Sequence, residues 1–232
     1  EDILAVISHL KIEGGKKFSF NTLDAARHFY SGEPRGRWNP ADMIKGEEVL
    51  ILGTGHGVAQ HCNALEAYIT KHKPFVIALN TQSSIKQELI NIRAACHPVR
   101  LLADCHEHLS LPQPLVTPAS MLPENVKQEL SQKKLLDFGL SVQANYFSFQ
   151  TTYCILPTSL VIAYVLAIAT SGKAKKILLA GFDGYSGDDP RTKEMDHLLQ
   201  VYQSTEQAVK LVSITPTRYE VETVSIYALI GN

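Results

Sequence analysis

Residues 157–185 read Pro-Thr-Ser-Leu-Val-Ile-Ala-Tyr-Val-Leu-Ala-Ile-Ala-Thr-Ser-Gly-Lys-Ala-Lys-Lys-Ile-Leu-Leu-Ala-Gly-Phe-Asp-Gly-Tyr, a helix, a turn, a strand and a loop in succession. Thr158 or Ser159 is placed to cap the helix, and Gly172 to end it in the left-handed conformation. Between them, residues 160–170 are apolar on nearly every face, so the helix must be covered all round. About a dozen residues fall short of the roughly 20 that cross a membrane. The helix therefore belongs inside a sheet-and-helix sandwich or at a subunit contact. Residues 177–180 then form a short buried strand that delivers Gly181-Phe182-Asp183-Gly184-Tyr185 to its carboxyl end. In an open parallel sheet that edge is where ligands sit.

The surrounding chain has 232 residues and is 45% apolar, enough for one large domain with a small appendage. Its net charge of -1 and lack of basic runs exclude a nucleic-acid surface, and no membrane span or signal peptide is expected. Cys62, Cys96, Cys105 and Cys154 lack the paired spacing of a disulfide framework, which suits a reducing cytoplasm. The opening Glu1-Asp2-Ile3 has no methionine, so an upstream catalytic domain in a longer protein is expected.

Upstream of the apolar helix, residues 49–52 read as a buried strand running into Gly53-Thr54-Gly55-His56-Gly57 and a helix over 58–71. This is the entry of a nucleotide-binding unit, in which glycines allow a sharp turn and a helix start offers N–H groups to a phosphate. The spacing is not the full dinucleotide fingerprint. The next strand, 75–79, ends on Asn80, where an NAD enzyme places an acid for the ribose, so NAD is disfavoured and an amide contact to a base edge or sugar hydroxyl is expected. A helix capped by Ser83 and running to 95, then a third strand over 99–103, complete an alternating order that predicts a doubly wound, mostly parallel α/β sheet of Rossmann-like type.

Other segments read less sharply. Cys96-His97 and Asp104-Cys105-His106-Glu107-His108 are metal-capable residue types without ligand spacing, so no metal and no cofactor are expected. A proline-rich loop over 110–123 leads to a polar helix near 124–133 and a segment at 135–140. The run 145–153, rich in aromatics, suits either a lid facing a sugar or core packing. Beyond Tyr185 come a turn at 186–190, a helix over 192–207, a strand over 209–214, and an edge strand or short helix within 219–229. At the other end, residues 3–12 and 23–30 suit amphipathic helices, and 31–40 a linker or ordered loop. There Arg35, Arg37 and Trp38 either clamp an anion or ring, or Trp38 pins the loop by burial. These readings divide the chain into a helical appendage and linker at 1–46 and a Rossmann-like nucleotide-binding domain at 47–232, which the resemblance described next makes a nucleotide-sugar-binding domain.

The glycine turn at Gly53-Thr54-Gly55, Asn80, Pro157-Thr158-Ser159, the strand into Gly181-Phe182-Asp183-Gly184-Tyr185 and Lys210-Leu211-Val212-Ser213-Ile214-Thr215-Pro216-Thr217 resemble the bacterial CMP-sialic acid-dependent sialyltransferases and related proteins of polysaccharide and flagellar-glycan loci. The resemblance covers roughly residues 48–217. It implies that Gly53, Thr54, Gly55 and Asn80 bind the nucleotide, that Thr158 and Ser159 lie by the donor, and that Tyr185 holds the phosphate of departing CMP. Two positions depart from the pattern. Thr54 stands where that family has asparagine, and Pro190-Arg191 stand where it has its general-base histidine. Arginine remains protonated and cannot act as that base, which leaves His197, about two turns on, or His56.

Three functions follow. One is a glycosyltransferase-like enzyme on a nucleotide-activated acidic sugar, in which Tyr185 and Arg191 receive the phosphate, Asp183 holds its loop or the ligand, and His197 or His56 takes the proton. The second is a non-catalytic nucleotide-sugar-binding domain of surface-polysaccharide biosynthesis, accessory to a pyruvate-type aldolase. The third is an NAD-dependent oxidoreductase. A nucleotide or nucleotide-sugar is the expected partner, and a homo-oligomer is compatible with the apolar helix.

Overall fold

The computed structural model describes residues 32–185 and 189–231. The helices expected at 3–12 and 23–30, and positions 186–188 of the turn after Tyr185, lie outside them. The fold is built on eight parallel strands: β1 (Glu48–Leu52), β2 (Phe75–Leu79), β3 (Ile92–Ala94), β4 (Leu115–Thr117), β5 (Leu135–Asp137), β9 (Lys176–Ala180), β10 (Leu211–Ser213) and β11 (Glu222–Thr223). Their order is β11-β10-β9-β1-β2-β3-β4-β5. The chain starts in the middle at β1, winds outward through β2 to β5, then returns to β9 and winds the other way. The switch point therefore falls between β1 and β9, whose register pairs Leu52 with Ala180.

Helices cover both faces because the strands at the centre, β1, β2 and β9, are apolar on both sides. On one face Val49, Ile51, Ile77 and Leu179 pack against α7 (Val161–Ser171) and α8 (Pro190–Gln203). On the other, Leu50, Leu52, Val76 and Leu178 pack against α3 (Cys62–His72) and α9 (Ile226–Gly231). A second sheet, with β6 (Gly139–Val142) and β7 (Ser148–Phe149) on either side of β8 (Tyr153–Leu156), contacts α7 from its outer side. This explains the sequence of α7: sandwiched between two sheets, Ile162 through Thr170 are all buried.

Several local expectations are corrected. The α7 N-cap is Leu160, and neither Thr158 nor Ser159 caps it; Thr158 Oγ1 donates to Glu194 Oε1 instead (3.0 Å). Gly172 is right-handed (φ −71°), and the left-handed residue is Lys173 (φ 57°). Lys173 N–H donates to Thr170 O and Ala174 N–H to Ala169 O, the paired bonds of a Schellman ending. Gly172 is required for space, since a Cβ there would lie 2.8 Å from Ile44 Cβ. The helix expected over 83–95 is a short 3₁₀ turn at Gln87–Leu89 followed by β3, and the strand expected over 99–103 is a helix, α4 (Pro98–Ala103). Arg93 caused the misreading. It sits fully buried in β3, where Gln113 Oε1, Asn80 O and Gln87 Oε1 accept from its guanidinium at 2.8, 3.1 and 2.6 Å.

The segment 32–40 is an ordered loop pinned by its tryptophan: Trp38 meets Phe138 edge-on at 6.3 Å, and the Arg37 and Trp38 N–H groups donate to Asp137 O. In the aromatic run before β8, Phe147 and Phe149 are core packing, both against Tyr202 of α8, while Tyr146 is exposed.

Candidate ligand-binding site

At the switch point the carboxyl ends of β1 and β9 open into two loops that touch. Gly53 and Gly55 lie so close to the β9 strand end that added Cβ atoms would fall 2.5 and 2.4 Å from Gly181 O. Gly181 itself takes φ +75°, and its Cβ would strike Val58. The glycines on both sides thus serve first to let two backbone turns pack against each other. Asp183 completes the junction. Its Oδ2 accepts from Gly57 N–H (2.8 Å) at the start of α2 (His56–Gln60), while its Oδ1 is buried with no partner among the described residues. The carboxylate therefore occupies the helix start that the sequence offers to a phosphate.

A third loop, after β10, grips this one. Thr215 Oγ1 accepts from Gly181 N–H (2.9 Å), Thr217 Oγ1 donates to Phe182 O (2.6 Å), and Arg218 donates through its N–H to Asp183 O (3.2 Å) and through Nη1 to Tyr185 O (3.1 Å). Together the loops enclose a cavity of about 430 Å³. Leu79, Leu160, Val161, Ile162, Phe182, Met195 and Tyr219 give it an apolar lining, and Thr54, His56, Asp183 and Tyr185 a polar one. Burial pushes the Tyr219 phenol up to about 12, so it stands in the wall as a neutral hydroxyl.

Of the residues singled out from sequence, Thr54, Gly55, His56, Asp183 and Tyr185 line this cavity, and Gly53 supports it from behind. Asn80 follows the lining residue Leu79; it is left-handed (φ 49°), and its backbone bonds to Ala94 and Arg93. Thr158 and Ser159 precede the lining residue Leu160. Arg191 stands at the rim, its guanidinium 4.2 Å over the Tyr185 ring and bonded to the Asp189 carboxylate at 2.6 to 3.2 Å, which holds Asp189 down to about 2. His197 is not part of the cavity. It lies exposed on α8 with Nε2 2.6 Å from Asn145 Oδ1.

Sequence reasoning missed Phe182, Met195, Arg218 and Tyr219. The only signal for the last two was their position just beyond a strand end, in Thr215-Pro216-Thr217-Arg218-Tyr219. Among the described residues no three His, Cys, Asp or Glu side chains gather closely enough to hold a metal ion, and no helix is long and apolar enough to cross a membrane.

The sheet order, the switch-point cavity and the helices on both faces define a doubly wound α/β domain of Rossmann-like type. No protein-family model matches the sequence, and no curated protein does. The fold is similar to that of a solved structure described as MAf glycosyltransferase from Magnetospirillum magneticum AMB-1, with a TM-score of 0.53 and 10% identity over 92% of this chain. The chain spans 39% of that one's length.

Proposed function

We propose that the switch-point cavity binds a nucleotide-activated sugar and that the domain is glycosyltransferase-like. The observation that carries this reading is the cavity itself: about 430 Å³ at the carboxyl edge between β1 and β9, apolar on its inner wall and polar along the glycine turn and the Asp183 loop. An apolar inner wall suits a base, and the hydroxyls and carboxylate suit ribose and sugar. Because Asp183 already receives the Gly57 N–H, the phosphate belongs at the outer rim, with Tyr185, Arg191 and His56. The resemblance of the loop sequences to bacterial sialyltransferases favours a CMP-activated acidic sugar, used in surface-polysaccharide assembly. The neighbouring fold of a protein described as a glycosyltransferase supports the same class.

In this reading the acceptor hydroxyl attacks the anomeric carbon, the bond from that carbon to the phosphate oxygen breaks, and the nucleotide leaves with the electron pair. His56 takes the proton, being the histidine that lines the cavity. A second reading, a binding domain without transfer, is favoured by the start of α8, where Pro190 and Arg191 stand and Arg191 is tied to Asp189. One experiment separates the two. Leu160→Trp should fill the cavity and abolish binding of CMP-sialic acid, whereas His56→Ala should retain binding and abolish its turnover. Binding without turnover by the unaltered protein selects the second reading, and binding unaffected by Leu160→Trp removes both.

A further inference from the structure

We infer a second binding site, for the phosphate monoester of a small soluble sugar phosphate, in the cavity under the loop 32–40. This cavity, of about 650 Å³, lies at the carboxyl ends of β4 and β5 and is lined by Arg35, Gly36, Arg37, Ser120, Lys127 and Asp137 among others. It opens on the same sheet edge as the switch-point cavity but four strand spacings away, about 19 Å at the usual separation of neighbouring strands. The two cavities share no residue.

The site is built rather than incidental. Gly36 is wedged between strands: a Cβ there would fall 2.2 Å from Thr152 O, 2.5 Å from Gly139 N and 2.8 Å from Asp137 O. Gly139 in turn has room only for the Arg35 backbone, and Arg37 N–H and Trp38 N–H both bond to Asp137 O. The backbone that carries the two arginines is thus fixed by contacts that do not involve their guanidinium groups. Flanking one glycine in that wedged segment, both arginines line the same cavity.

Charge then names the ligand. The lining carries three cations, Arg35, Arg37 and Lys127, and one carboxylate, Asp137, so three minus one gives a formal charge of +2. Asp137 does not neutralise the arginines: its Oδ1 accepts from Ser120 N–H (2.8 Å) and its Oδ2 from the Ser120 hydroxyl. Neither arginine has an acidic side chain within ion-pair reach among the described residues, and Lys127 has only Glu124, at 3.9 Å and largely exposed. Two guanidinium forks and an ammonium match a dianionic phosphate. The carboxylate beside them is an acceptor for sugar hydroxyls, which is why a sugar phosphate suits the site better than a bare anion.

Titrations with inorganic phosphate, glucose 6-phosphate, acetate and vesicles containing phosphatidic acid test this, followed by amide chemical shifts. The expected result is saturable binding of both phosphates, tighter for the sugar phosphate, with shifts at Arg35, Gly36, Arg37 and Ser120. Arg35→Gln with Arg37→Gln should weaken it by about tenfold or more, leave the melting temperature unchanged, and leave nucleotide binding at the switch point unchanged. Asp137→Asn, which raises the formal charge of the lining from +2 to +3, should tighten inorganic phosphate and reduce the advantage of the sugar phosphate over it. The inference is overturned if neither phosphate binds, if acetate binds as well as phosphate, if the double variant binds equally well, or if only vesicles bind. Failure of nucleotide binding at the other cavity would leave it standing, since the two sites are read from different residues.

Discussion

Asp183 is the residue on which the site depends, because one carboxylate joins the β9 loop to the start of α2 across 126 positions of sequence. Gly57→Ala should destabilise by roughly 1–3 kcal/mol, since its Cβ would fall 2.3 Å from Asp183 Oδ1 and force the carboxylate away. Gly55→Val should likewise lower the melting temperature, as its side chain meets the backbone at Gly181 O rather than open space. Denaturant melts measure both. Tyr185→Phe should weaken nucleoside monophosphate binding by roughly 0.5–1.5 kcal/mol, the net value of one hydrogen bond, and leave nucleoside binding unchanged; calorimetry with CMP and cytidine checks it. Away from the site, His108 is buried near Lys133, Arg93 and Arg100, and burial first, then these cations, push its imidazole down from 6.5 to about 4. The unfolded chain binds this proton at higher pH than the folded one, so the stabilisation is complete above 6.5 and lost as pH falls toward 4. Between pH 7 and 5 the loss should be about 2 kcal/mol, and His108→Leu should remove that part of the pH dependence.

At the scale of elements, α7 carries the largest prediction. Ala167 is fully buried between the two sheets, so Ala167→Asp should cost at least about 3 kcal/mol in a denaturant melt, the cost of an unpaired carboxylate in an apolar layer. Lys173→Gly should stabilise by roughly 0.5–1 kcal/mol, because the left-handed position that closes the helix is held by a residue with a Cβ. The elements legible in the sequence were the wholly apolar ones. β2 and α7 could be read directly because both sides of each are covered, leaving no polar residue to interrupt the pattern. β3 was hidden because a buried arginine sits at its centre, and the partners that make it tolerable, Gln87 and Gln113, lie in flanking turns that no periodicity reveals. β4, three residues between prolines, looks like loop in the sequence because its burial comes from β3 and β5, not from its own length. The strand-end residues of the site were legible as positions. Their contacts were not, since Asp183 meets Gly57, and Tyr219 meets the cavity, only after the sheet is assembled.

For the whole molecule, a parallel sheet wound both ways from β1 leaves a crevice at the carboxyl ends of β1 and β9 that three strand-end loops line. Whether this crevice is a nucleotide site is tested most directly by calorimetric titration of the protein with CMP, UMP and NAD, repeated on Leu160→Trp. Heat of binding is expected for a pyrimidine nucleotide, CMP foremost, none for NAD, and loss of the CMP signal in the variant with its fold intact. Tight binding of NAD with no heat from CMP or UMP, or CMP binding that survives Leu160→Trp, would contradict it.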